Sequence, residues 1–481
     1  MPTHRLDTLK DVLLIIAVWW GGVVLVNPVG EFPLFDDWAF SRTVEHLLNT
    51  GEYDPLNWGW MTLVTNALWG ALFCLPQGFS FTALRISTLV AATLGLVGVY
   101  ILFRDLQQPR SIVAIAVALT GFNPYFFSLS HSFMTEALFT ALLVWTSILL
   151  LRALRTGSYV HLAIGAVLGL AATLSRQLAV CVPLAFAVVQ LLRSNFSPPS
   201  VIRALTPLVV CLAGYLSVLW IGVIGVNVNA LIFNSLGDVG KVFRTIIDNS
   251  YIALVHSGLL LFPLLLLEIV HLQRRPPAQV ITAGAIALLV VTLTVVAKAT
   301  LGGQSQQILL PLSSWLVKSG VGPAWLYDMV FLQNDNMQPL PAEFWIAVTA
   351  IALTGAVILI MAFSLRIGDV IGRRLRNGAI DDADLVTTFA FLTVIIYFLL
   401  LLTAPFTWDR YVVPMVPFMA VTIIGPSSSP TSAWNRVWPP GRIAAWTLLA
   451  LFGAYAVAGT RDYLAWNRVR WTALHALMQE D

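Results

Sequence analysis

The sequence predicts an all-α polytopic membrane protein, and three observations carry that expectation. Hydrophobic residues make up 58% of the 481-residue chain and charged residues only 11%, where a soluble domain carries roughly 25% charged residues. Apolar stretches of about 17–25 residues recur from end to end, each long enough to cross a bilayer. Lys and Arg gather in alternate short loops, the asymmetry that assigns loops to sides of a membrane.

Hydropathy places about 13 spans, at 11–28, 82–103, 111–129, 132–151, 158–175, 177–193, 204–227, 251–272, 279–297, 343–365, 385–403, 411–426 and 443–459. The first has a basic lead and a long apolar run with no A-x-A-like cleavage site, so it reads as an uncleaved span. Segment 58–76 is also apolar but is read as a juxtamembrane element, because one more crossing would break the charge alternation. With the N-terminus inside, the inner side holds Arg5, Lys10, Arg104, Arg110, Arg152, Arg155, Arg193, Arg203, Arg274, Arg275, Arg366, Arg373, Arg374, Arg376, Arg436 and Arg442, most of the 27 basic residues. An odd number of spans then leaves residues 460–481 as a short outer tail.

The organisation expected is one transmembrane unit, 1–459, with outer insertions at 29–81, 228–250 and 298–342. Long loops often carry function, so the outer face is the working face. No internal repeat is visible. A net charge of +3 without a long basic run argues against nucleic-acid binding. Cys74, Cys181 and Cys211 lack the spacing of a metal cage or a disulfide framework.

The first outer insertion contains "DDWAFSRTVEHLLNTGEY". Phe40, Val44, Leu47, Leu48 and Gly51 follow helical spacing, which predicts an amphipathic surface helix over 38–50 ended by Gly51. Asp36 or Asp37 would be its N-cap. In the plainer reading one acid caps the helix and the other is solvated. In the functional reading the helix dipole holds a carboxylate ionised, ready to take a proton from an arriving acceptor.

These residues resemble the D-E-x-x-Y…G-x-Y signature in the first outer loop of the GT-C membrane glycosyltransferases, which include protein O-mannosyltransferases and lipid A aminoarabinose transferases. Asp36 falls on the family's catalytic Asp, Asp37 on its Glu (a mild departure) and Phe40 on its aromatic. "FTALRISTLVAATLGLVGVYILFRDL" is similar to the family's second span. "FNPYFFSLSHSFMTEALFTALLVW" places Glu136 at the outer end of the fourth. "LGLAATLSRQLAVCVPLAF" places Arg176, and "PFTWDRYVVPMVPFMAV" places Arg410 and Tyr411. The resemblance covers 30–190 and a stretch near 410. Family members often have thirteen spans.

The resemblance implies transfer of a sugar from a polyprenyl-phosphate donor to a glycolipid, polysaccharide or protein acceptor at the outer face of the cytoplasmic membrane. Asp36 would be the general base, with Asp37 and Glu136 as its acidic companions. Arg176 and Arg410 would clamp the donor phosphate by forked hydrogen bonds. Tyr411, Phe40 and His131 complete the expected site.

Each residue also has a plainer reading. Glu136 reads as an interfacial acid near a helix start, and Arg176 and Arg410 as snorkelling cations. His131 reads as a solvated residue, Arg85 as interfacial, and Trp58, Trp60 and Trp69 as belt aromatics. Lys298, Lys318 and Tyr327 are weaker candidates for phosphate or sugar. A donor monophosphate can be neutralised by Arg or Lys, and the outer face has no compact D-x-D motif, so neither metal nor cofactor is expected. A transporter and a non-catalytic lipid-binding relative are the competing readings. Against a transporter, no ionisable residue stands clearly at mid-span.

Overall fold

Hydrogen bonds and ion pairs sort the loops of this chain to two opposite ends of a helical bundle. The computed structural model describes all residues except 1, 56–60, 195, 222–237, 304–305, 313–314, 319, 323–339, 378–380, 406, 426–438 and 481. Trp58, Trp60 and Tyr327 therefore lie outside the described residues.

The helices run in order as α1 (Pro2–Val26), α2 (Asp37–Thr50), α3 (Val64–Cys74), α4 (Phe81–Asp105), α5 (Arg110–Gly121), α6 (Pro124–Leu129), α7 (Glu136–Thr156), α8 (Tyr159–Ser175), α9 (Cys181–Ser194) and α10 (Pro198–Trp220). They continue as α11 (Val239–Leu272), α12 (Pro277–Leu301), α13 (Ala342–Asn377), α14 (Asp382–Leu402), α15 (Val416–Ile424) and α16 (Pro439–Glu480). Short 3₁₀ turns at Gln177–Val180 and Asp409–Met415 precede α9 and α15. A two-stranded hairpin pairs β1 (Leu316–Val317) with β2 (Gly320–Val321), antiparallel. Ten of the described helical stretches are long and apolar enough to cross a membrane. The fold is that of an α-helical polytopic membrane protein.

Several predicted spans are reshaped. The stretch 111–129 is broken into α5 and α6, because Asn123 is extended (φ −70°, ψ 146°) and its side chain caps α6 by accepting the Phe126 N–H. Pro124 then occupies the first helical position, where its missing N–H costs nothing, and it keeps Asn123 out of the helical region. The stretch 411–426 likewise starts as a 3₁₀ turn containing Pro414 before α15 begins. The loop predicted at 228–250 is already α11 from Val239 onwards. The expected C-terminal tail, 460–481, is no separate tail: up to Glu480 it is the continuation of α16, whose 42 residues make about 63 Å of helix.

At one end of the bundle, Arg110 pairs with Asp7 and Asp11, Arg152 with Asp105, Arg193 with Asp382, Arg275 with Asp369 and Arg373 with Asp384. Gln108 reaches the Gly425 carbonyl and Arg366 that of Ile423. These are the loops whose Lys/Arg content marked them as one side. At the opposite end, Tyr463 donates to Leu34 O, Arg468 to Asn27 O and Val29 O, and Asn249 to Ala404 O. The first long loop and the last helix therefore share a face, as an odd number of crossings requires.

That second face is stitched together by buried polar contacts. Arg85, expected at the interface, is 1% exposed and donates to the carbonyls of Pro28, Gly30 and Phe32. Glu31 accepts from Ser80 Oγ and the N–H groups of Phe81 and Thr82, anchoring the same loop to the start of α4. Burial alone would raise the Glu31 pKa, but these bonds together hold it below the usual carboxylate value. Ahead of α3, the Thr62 hydroxyl reaches Thr173 O, and within α3 that of Thr65 reaches Ala171 O and Asn66 bonds Ser175, fixing the end of α8.

Candidate active site

Two helix N-termini and one helix C-terminus converge at this face. Asp36 occupies the N-cap position of α2, Glu136 is the first residue of α7, and Arg176 is the C-cap of α8. Acids at N-termini and a cation at a C-terminus are the placements that helix dipoles favour. Arg410 arrives from the 3₁₀ turn before α15.

The four side chains form one chain of ion pairs. Arg410 Nη2 donates to Asp36 Oδ2 at 2.8 Å, and its Nε lies 3.4 Å from Glu136 Oε1. Arg176 Nη1 donates to the same Glu136 oxygen at 3.1 Å. Two carboxylates and two guanidinium groups balance in number, the pairing that buried charged side chains require. The Asp36 side chain is the most open of the four at 17% exposed, against 3% or less for the other three. Glu136 Oε2 has no hydrogen-bond partner among the described residues. The Tyr411 ring lies 4.4 Å from the Arg176 guanidinium carbon and 5.8 Å from that of Arg410. Phe35 and Phe139 flank the two cations at 5.4 and 5.6 Å.

Asp37 does something different from its neighbour. It is 1% exposed; Oδ1 accepts the N–H groups of Leu34 and Phe35, and Oδ2 that of Phe133. Asp37 therefore locks its own loop and ties it to the segment before α7. Burial pushes its pKa up to about 6, against the pull of Arg85 and the three backbone donors. Asp36 stands at the N-cap position, as the sequence suggested, but makes no side-chain capping bond to α2.

The remaining expected residues stand apart from the cluster. Phe40 is buried in the core on the inner face of α2. His131, expected in water, is fully buried, with Nδ1 held by Phe127 O at 2.8 Å, and burial pushes its pKa down to about 4. Lys298 is buried against Asp248 at 2.7 Å, while Lys318 is exposed. Trp69 donates its indole N–H to Ser87 O. Arg176 and Arg410 do not snorkel; both are about 2% exposed. Among the described residues, no group of three His, Cys, Asp or Glu side chains is placed to hold a metal ion.

Fold and cluster together define a polytopic helical membrane protein with a buried, charge-balanced site at one end of its bundle. Residues 61–221 match the family described as dolichyl-phosphate-mannose-protein mannosyltransferase. That stretch carries Glu136 and Arg176 but stops short of Asp36 on one side and Arg410 on the other. The motif resemblance to membrane glycosyltransferases and this match agree over the shared residues. Among solved structures, the chain is similar to ArnT from Cupriavidus metallidurans bound to undecaprenyl phosphate, with 12% identity over 87% of this chain and 77% of that one, and a TM-score of 0.35. No curated protein matches the chain by sequence.

Proposed function

We propose that the protein transfers a sugar from a polyprenyl-phosphate donor to an acceptor at the outer face of the cytoplasmic membrane, with Asp36 as general base. The observation that carries this reading is the Asp36–Arg410–Glu136–Arg176 cluster, in which the one partly open group is a carboxylate. The family matched over 61–221 is named for a dolichyl-phosphate sugar donor, which is chemistry of this class. The acceptor is a glycolipid, a polysaccharide or a protein side chain.

In this mechanism the donor phosphate lies beside Arg176 and Arg410. A guanidinium carries five N–H donors, and Glu136 takes one from Arg176. As the acceptor attacks the anomeric carbon, its proton passes to Asp36. The bond from that carbon to the phosphate oxygen breaks on the opposite face, inverting the centre. Negative charge grows on the departing phosphate, and the two guanidinium groups stabilise it. The same charge draws Arg410 towards the phosphate and away from Asp36, which frees the carboxylate to face the acceptor. Glu136 keeps both cations in place while this happens.

The test is turnover of labelled polyprenyl-phosphate sugar by purified Asp36→Asn and Asp37→Asn proteins matched for amount and melting behaviour. Asp36→Asn should lose about 100- to 10,000-fold, because Asn retains the size but takes no proton. Near-normal turnover in Asp36→Asn would remove the base from this mechanism. If Asp37→Asn alone abolishes turnover, the base is the next residue along.

A further inference from the structure

Asp409 precedes Arg410 and is 1% exposed. Its Oδ2 accepts the N–H groups of Trp315 and Leu316, each at 3.2 Å, and its Oδ1 accepts the N–H of Arg410 at 2.9 Å. One buried carboxylate thus joins the β1 side of the third outer loop to the turn that carries Arg410 and Tyr411. Such a carboxylate is stable out of water only while N–H donors fill its lone pairs, so the join is stiff.

Trp315 completes the contact from the other side. It is fully buried, and its indole N–H donates to Ser128 Oγ. Its ring meets Phe35 edge-on at 6.1 Å and Tyr463 at 6.3 Å. Gly322 returns its N–H to Trp315 O at φ +87°, and any side chain there would strike the Tyr463 ring. Phe35 is next in sequence to Asp36 and lies beside the Arg410 guanidinium. The hairpin therefore reaches both members of the Asp36–Arg410 pair, through Asp409 on one side and through Phe35 on the other.

We propose that Asp409 and Trp315 are positioning residues: they clamp the paired strands β1 and β2 onto the site and hold Asp36 and Arg410 in register for sugar transfer. Neither touches the reacting atoms. The inference rests on Asp36 and Arg410 being the working pair, and it gives the third outer loop a mechanical role. A displacement of about 1 Å at a reacting group costs on the order of 100-fold in rate, so loosening the clamp should lower turnover without removing donor affinity.

The experiment uses the full chain in lipid nanodiscs, with Asp409→Asn, Trp315→Ala and Trp315→Phe. The measurements are kcat and KM for labelled polyprenyl-phosphate sugar, amide hydrogen exchange with no substrate added, and the melting midpoint of each variant. Asp409→Asn and Trp315→Ala should lose about 10- to 100-fold in kcat with KM changed less than about twofold. Trp315→Phe keeps the ring contact with Phe35 and should recover most of the loss. Exchange should rise together at 32–40 and 408–412 in Asp409→Asn. Exchange confined to 408–416, or kcat falling only in step with the melting midpoint, would overturn the clamp. If the unmodified protein turns over no donor at all, the proposed activity fails, and the exchange result alone decides the clamp.

Discussion

Arg410 donates to Asp36 at 2.8 Å across 374 positions of sequence. The same guanidinium stands 3.4 Å from Glu136, which also holds Arg176. Only the folded bundle brings these four groups within reach, and their pairing has consequences for stability.

Removing Glu136 leaves two buried guanidinium groups short of their shared carboxylate. Glu136→Ala should destabilise the protein by about 3–5 kcal/mol, the range for breaking a buried ion pair from one side. Replacing Arg176 by Met in the same protein should recover part of that loss. Denaturant unfolding in detergent checks both; a cost under about 1 kcal/mol for Glu136→Ala would show the pairs to be uncoupled.

Donor affinity should depend on both cations. Arg176→Ala and Arg410→Ala each remove a charge-assisted hydrogen bond of about 1.5–3 kcal/mol, or roughly 10- to 150-fold in Kd. Arg410→Lys keeps the charge but lacks the fork that spans Asp36 and Glu136, so it should rescue little. Binding of labelled polyprenyl phosphate to each variant is the measurement. Unchanged binding in both Ala variants would take the phosphate away from this site.

Asp37 and His131 should oppose one another in their dependence on pH. The folded pKa of Asp37 is raised from 3.8 to about 6, so between those values the native state binds more protons and stability falls as pH rises. The folded pKa of His131 is lowered from 6.5 to about 4, so there the unfolded state binds more protons and stability rises with pH. Asp37→Asn should therefore leave a melting midpoint that climbs between about pH 4 and 6, and His131→Gln one that declines. Melting curves at intervals across that range decide it; parallel slopes in the two variants would contradict the assignment.

The pairing of Arg468 with Asn27 O and Val29 O puts the last helix on the face of the first long loop. On the Lys/Arg bias of the opposite loops, we propose that this face is the outer one. A reporter fused after residue 481 should be active only outside the cytoplasm. Cytoplasmic activity would reverse the orientation or show one crossing too many, with 58–76 the first segment to re-examine.

Membrane class, most spans and the common side of the basic loops were legible in the sequence, because hydropathy and charge bias are local properties of each segment. The ion pairs at one end of the bundle join the same loops that the Lys/Arg pattern groups together. The break at Asn123–Pro124 was also written locally, in a capping Asn before a Pro, but the apolar residues on either side concealed it. Arg85 was misjudged for a related reason: its position at a helix start suggests an interface, and only the loop folded over it supplies the three carbonyls that bury it.

The site was legible only as far as motif resemblance carried it. Nothing local to Glu136, Arg176 or Arg410 says that they meet, since their convergence depends on how α7, α8 and the 409–415 turn pack. The contacts of Asp409 and Trp315 carried no signal, because they depend on a hairpin remote in sequence from both α2 and the Arg410 turn. The adjacent acids are the clearest case. Asp36 and Asp37 are chemically identical, and either would fit the start of α2. Successive residues at a helix start point about 100° apart, so the packed neighbours decide between them: Asp36 faces a guanidinium at a partly open edge, and Asp37 faces three backbone N–H groups in the interior.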